Sequence, residues 1–134
     1  MCRLIITAGE HPDKVWIYGA LNVHTTNNPQ CSVEWGWHVA PTLQVSAGTG
    51  IETWVIDPSL FSGPVTDATW KGVQGDPTAT LAYTDSAAFY RNSEGQIQTD
   101  PTYAQTAQVL ATYRLQLKLR SIGPAGPPPY ANCA

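Results

Sequence analysis

Apolar and polar positions along the chain change period several times. Residues 1–8 (Met-Cys-Arg-Leu-Ile-Ile-Thr-Ala) are mostly apolar and stop at Gly9, a helix-end signal. No helix start precedes them, so they predict the end of a helix that begins earlier. Lys14 to Leu21 is rich in β-branched and aromatic residues and predicts a strand. Asn22 to Gln30, with Asn27-Asn28-Pro29, predicts a loop. Ser32 to Ala40 alternates, with Val33, Trp35, Trp37 and Val39 on one face and Glu34, Gly36, His38 and Ala40 on the other. Thr42 to Val45 continues this strand after Pro41, which implies a bend or an edge position. Ser46 to Gly50 reads as a turn and Glu52 to Ile56 as the returning strand, ended by Asp57-Pro58.

Phe61 to Pro64 reads as loop, and Thr66 to Lys71 as a short helix capped by Thr66, with Thr69 or Trp70 packed inward. Residues 72–99 look loop-like apart from a short strand near Ala87 to Arg91. Asp100-Pro101 is a helix start, with Asp100 as N-cap and Pro101 in the first helical position. Residues 114–120 alternate like a strand. Yet Ala104, Ala111, Leu115, Leu119 and Ile122 also form a helical stripe, and no break follows the cap signal, so helix is the favoured reading. Gly123-Pro124 ends it. Residues 123–134, with Gly-Pro-Pro-Pro-Tyr, predict an extended, solvated, poorly packed tail behind a domain of residues 1–122.

Composition narrows the class. The chain has 134 residues, 43% of them hydrophobic and 13% charged, which fits one folded domain and not a disordered chain. No apolar run approaches the ~20 residues of a membrane-spanning helix. The net charge of −3 argues against nucleic-acid binding through a basic face. The only positive stretch, residues 101–134, rests on Arg114, Lys118 and Arg120, too few for a polybasic module. Few Lys and many Thr, Asn and Gly give an extracellular flavour. Cys2, Cys31 and Cys133 allow one pair and one leftover thiol in a secreted protein. The opening residues are not a signal peptide, so the protein is either cytosolic or lacks its natural N-terminus here.

His38 and Asp57 are the candidate chemical pair. The point midway between them falls inside the Ser46–Gly50 turn, so a hairpin closed there sets them nearly opposite, at ~5 Å between Cβ atoms. A carboxylate beside an imidazole orients the ring as the base of a nucleophilic triad. The same pair is also an ordinary half-buried His–Asp contact. His11, His24 and His38 with Cys31 lack zinc spacing, and no metal or organic cofactor is expected. Gly48-Thr49-Gly50 is not followed by the Lys of a phosphate loop. Trp16, Trp35, Trp37, Trp54 and Trp70 are either core residues or a sugar-stacking platform, the latter requiring an exposed row.

Around this pair, Trp-Gly-Trp-His-Val-Ala-Pro (35–41) and Val-Ile-Asp-Pro-Ser-Leu-Phe-Ser-Gly-Pro-Val-Thr (55–66), followed by Trp70, resemble the bacterial protein-glutaminase family. The resemblance also runs through Met1–Gly19 and, more weakly, Tyr83, residues 89–92 and the Cys-ending tail, roughly two thirds of the chain. It implies an α+β, papain-like or transglutaminase-like domain with an antiparallel sheet packed against helices. It implies a Cys-His-Asp mechanism hydrolysing protein-bound glutamine to glutamate, with His38 and Asp57 catalytic. It also implies a protein or peptide partner bearing accessible glutamine, while charge, hydropathy and composition give the expectations of no nucleic acid, no membrane and an extracellular, secreted setting. The family's nucleophile would fall about seven residues before Met1, and seven helical residues span ~10 Å, so Cys2 does not stand in for it. Cys2 reads as a buried structural residue. Cys31 resembles a loop Cys of the family that is open to disulfide formation, with Cys133 as one available partner. The alternatives are an inactive papain-like domain that binds a protein or peptide, acyl transfer to an amine as in transglutaminases, and a Trp-rich carbohydrate-binding module.

Overall fold

The computed structural model describes residues 1–134. A short helix α1 (Cys2–Thr7) leads into β1 (Asp13–His24), β2 (Ser32–Ala47) and β3 (Gly50–Val55). The short strand β4 (Val65–Thr66) runs directly into α2 (Asp67–Gly72). β5 (Thr80–Asp85), β6 (Ala88–Arg91), β7 (Ile97–Thr99) and α3 (Ala104–Ser121) follow, and a 3₁₀ turn, Ala131–Cys133, closes the chain. The main sheet is antiparallel, in the order β4-β3-β2-β1-β5, with β6 and β7 as a separate hairpin.

β1 is buried on both faces. Val15, Ile17 and Leu21 point to the core, where they meet Ala40, Val55, Trp70 and Ala79. Trp16, also fully buried, points the other way, packs on Trp37 and donates to Thr84 Oγ1 at 2.8 Å. The β6–β7 hairpin is tied to that second face. Lys14 Nζ donates to the Ala88 carbonyl at 2.6 Å, and the Tyr18 hydroxyl donates to that of Arg91 at 2.7 Å.

Several expectations need correction. β1 continues to His24, so Asn22–His24 is strand and not loop, because Asn22, Val23 and His24 still pair with Glu34, Val33 and Ser32. Two strands were missed in residues 72–99. β5 pairs with the far edge of β1, and β7 pairs with β6; both are too short and mixed to show a clear alternation. The alternation read for β2 also fails at its middle. The ladder shifts between Tyr18 and Leu21, where an extra β1 residue is accommodated opposite Gly36, and Trp35 and His38 come to share a face.

Pro41 sits where the ladder to β3 ends. It has no N–H to give, so beyond the last ladder pair Thr42↔Val55 the bond between the strands is the one that the Ile56 N–H donates to the Pro41 carbonyl, at 2.9 Å. Released from the ladder, the chain turns at Asp57-Pro58. This is how the strand end delivers Asp57 to the site.

α2 begins as expected. The Thr66 hydroxyl accepts from the Thr69 N–H at 3.3 Å, and Trp70 is wholly buried. α3 is helical throughout, but it starts three residues later than Pro101 suggests, after Tyr103 at φ +57. Asp100 still caps it from a distance, its carboxylate accepting from Thr106 N at 2.9 Å and Thr106 Oγ1 at 3.0 Å. α3 buries no residue, and the fullest packing of a helix on the sheet is that of the short α2 against β3 and β4. The tail is not a solvated appendage either. Cys133 is disulfide-bonded to Cys31, Tyr130 and Cys133 are buried, and the Tyr130 N–H donates to the Thr26 carbonyl at 2.7 Å.

Candidate active site

His38 extends from the middle of β2 towards the loop that follows β3. Its Nε2 lies 2.8 Å from Oδ2 of Asp57, and its Nδ1 makes no hydrogen bond within the protein. Asp57 is buried, yet it accepts three further bonds. Trp70 Nε1 reaches Oδ2 at 2.8 Å, and Ser59 reaches Oδ1 through its N–H at 3.1 Å and its hydroxyl at 2.5 Å. Burial alone would raise the carboxyl pKa. The bonds from His38, Ser59 and Trp70, together with the His38 charge, outweigh it and hold the pKa at about 2. An ionised carboxylate can only accept, so Nε2 carries a proton towards Asp57 and Nδ1 is the ring nitrogen turned away from it.

Two indoles flank the imidazole. Trp35 stacks on it with centroids 4.5 Å apart and planes within 17°, and Trp70 lies at 5.5 Å and 27°. The ring opens onto a cleft of about 980 Å³. Glu34, Trp35, Trp37 and Ser59 line it together with Tyr113, Gln116, Leu117 and Arg120 of α3. Sequence reasoning gave no role to Ser59, and gave Trp70 no part in orienting Asp57. The Asp-Pro-Ser order was the available signal for Ser59, since an Asp side chain commonly accepts from the N–H two residues on. The contribution of α3 to the cleft left no local signature.

The thiols are elsewhere. Cys31 and Cys133 are joined in the disulfide, and the one free thiol, Cys2, is buried beside Lys14, Pro41 and Tyr103 in a separate cavity of about 150 Å³. Burial pushes the Cys2 thiol up, against the lowering influence of Lys14, which makes it a poor nucleophile. No group of three or more His, Cys, Asp and Glu side chains is placed to hold a metal ion. Nor do the indoles form an exposed row. Trp16 and Trp70 are fully buried, Trp35 packs against the core, and Trp37 alone of the five is 41% exposed, which removes the support for a sugar-stacking platform.

A family model described as glutaminase matches residues 1–74, which include His38, Asp57, Ser59 and Trp70. The chain belongs to the glutaminase family. Its α+β architecture agrees with solved members. A protein-glutaminase crystal structure superposes with a TM-score of 0.73 at 30% identity, covering 85% of this chain and 64% of that one. The NMR structure of protein-glutaminase from Chryseobacterium proteolyticum gives 0.75 at 28% identity, covering 99% and 73%. A pro-protein-glutaminase crystal structure gives 0.75 at 29%, covering 99% and 48%. The chain thus spans less than two thirds of the first of these glutaminases. No curated protein sequence matches the chain.

Proposed function

We propose that these residues form the His–Asp half of a papain-like protein-glutamine deamidase, with His38 as general base and acid and Asp57 as its orienting carboxylate. The observation that carries this reading is the His38–Asp57 contact of 2.8 Å at the wall of a large cleft. Asp57 fixes Nε2–H, and Nδ1 is left to take a proton from a thiol. A cysteine outside these 134 residues supplies that thiol, because the three cysteines present are bonded or buried away from His38.

The thiolate attacks the glutamine side-chain carbon. The imidazolium passes its proton to the departing ammonia, leaving a thioester on the cysteine. His38 then deprotonates a water, whose oxygen displaces the thiolate and leaves glutamate. The cleft is far larger than one glutamine side chain, which favours glutamine carried on a polypeptide. The Cys31–Cys133 disulfide favours an oxidising, extracellular setting.

The test is ammonia release from a glutamine-rich protein by a polypeptide that joins residues 1–134 to a cysteine-bearing helix before Met1. Activity is expected there and not in the 134 residues alone. His38→Ala should abolish it, and Asp57→Asn should lower kcat by about 10²–10⁴-fold. Incorporation of an added amine in place of water would identify transfer instead. An inert extended chain that still binds protein would favour an inactive binding domain. Activity of the 134 residues that Cys2→Ser removes would make Cys2 the nucleophile.

A further inference from the structure

The Asp57 carboxylate has about four acceptor positions, and the chain fills all of them. Ser59 takes both places on Oδ1. His38 and Trp70 converge on Oδ2 from different elements, each at 2.8 Å. The two sets are not equivalent. Ser59 is two residues from Asp57 and travels with the same turn. Trp70 is thirteen residues away, wholly buried in a capped helix that is packed into the core.

We propose that Trp70 is a positioning residue for the His38–Asp57 pair, its indole N–H setting the rotation of the carboxylate so that Oδ2 stays turned to Nε2. The last torsion of an aspartate is broad and soft, so one partner on Oδ2 does not fix it. Two donors meeting on one oxygen from β2 and α2 do. The held carboxylate keeps the proton on Nε2 and the lone pair on Nδ1. A purely space-filling role would be met by a side chain without a polar atom, since a buried N–H costs free energy unless it is bonded. Its consequence for catalysis rests on the reading of His38 as the base; the geometric effect does not.

The experiment follows the His38 ring nitrogens by ¹⁵N NMR in the 134-residue chain, with the Asp57 carboxyl followed by ¹³C. It compares the parent with Trp70→Phe, Ser59→Ala, and a chain carrying a benzothienyl-alanine at position 70. In that isostere sulfur replaces the N–H and the shape is kept, so it decides the matter if Trp70→Phe does not fold. Glu34 of β2 and Arg120 of α3, the other charged side chains on the cleft, are unchanged in every variant, as are Lys71 and Asp67 of α2, the latter accepting from the Tyr83 hydroxyl.

The parent should show the Nε2–H tautomer. Loss of the indole N–H should shift the ring towards a mixture of tautomers and raise the Asp57 midpoint by about one unit. Ser59→Ala should raise that midpoint too, but leave the tautomer as it was. A tautomer unmoved by the isostere would overturn the proposal, as would an equal tautomer shift in Ser59→Ala. The measurement needs no nucleophile and no substrate, so a failed deamidation assay leaves its outcome intact.

Discussion

His38 Nε2 and Asp57 Oδ2 lie 2.8 Å apart, although the sheet does not pair their residues. The β2–β3 ladder runs from Ala47↔Gly50 to Thr42↔Val55, and extending it towards His38 would set Ser59 across from it. The contact exists because the chain leaves the ladder after Pro41 and turns at Asp57-Pro58, while Trp70 receives the carboxylate from the other side. A pair held this way depends on the charge of Asp57, and pH tests it.

Acid should unfold the protein partly through Asp57. Its carboxyl is held at about 2 against an ordinary value of 3.8. A group whose pKa is lower in the folded state contributes stability above its unfolded value and loses it as pH falls through the folded one. The contribution is about 2 kcal/mol, present in full above pH ~5 and lost between there and pH ~1. Urea unfolding at several pH values should show this slope, and Asp57→Asn should flatten it. An unchanged slope in Asp57→Asn would mean that other carboxylates govern acid stability.

Trp35 should report on the His38 ring directly. The indole stacks on the imidazole at 4.5 Å and also packs against the core. Trp35→Ala should move the His38 carbon-bound ring protons downfield, as the ring current of the indole is removed, and destabilise the fold by at most about 3 kcal/mol, because Trp35 is only half-buried. Trp35→Phe should retain most of both. If the His38 resonances in Trp35→Ala match those of the parent, the stack does not persist in solution.

The sequence carried the parts of the fold that local chemistry decides. The strand density of Lys14–Leu21, the Thr66 cap and the Ala104–Ile122 stripe each correspond to an element. The His38–Asp57 pair was legible too, but through a hairpin register that the structure does not have. What was hidden depends on distant partners. β5 and β7 exist because β1 and β6 offer open edges. Trp35 joins the His38 face because of a shift in register with β1. The Leu115, Leu119 and Ile122 stripe gave the helix correctly, yet these side chains are exposed, since periodicity reports conformation and not what covers it.

Gly75 should tolerate no side chain. It sits at φ +80, and a Cβ there would run into the Asn22 carbonyl oxygen. This closeness lets the Gln74 carbonyl accept from the Asn22 N–H at 2.9 Å, tying the end of α2 to β1. Gly75→Ala should cost more than about 2 kcal/mol, from the unfavourable φ and the clash together. Denaturant melts would read the loss, and a shift within experimental error would show that the loop relaxes freely.

The strongest effect on stability is expected from the tail. Cys31–Cys133 closes a loop with a sequence separation of 102, and chain-entropy reasoning assigns such a loop about 4–5 kcal/mol. The bond does not act alone. His24 Nε2 lies 2.9 Å from the Cys133 carbonyl oxygen, and Arg120 donates to the Asn27 carbonyl at 3.2 Å. These contacts hold the C-terminal end of α3 against the β1–β2 loop, which matters because α3 buries no side chain of its own and forms one wall of the cleft. Cys133→Ser should therefore lower Tm by on the order of 10–20 °C. It should also speed amide exchange at the end of α3 and around residues 24–31 more than at Val15–Ile17, whose bonds lie in the central sheet. A Tm within a few degrees of the parent would show that the hydrogen bonds hold the tail without the disulfide. Uniformly faster exchange would show that the disulfide supports the whole fold and not the α3 wall in particular.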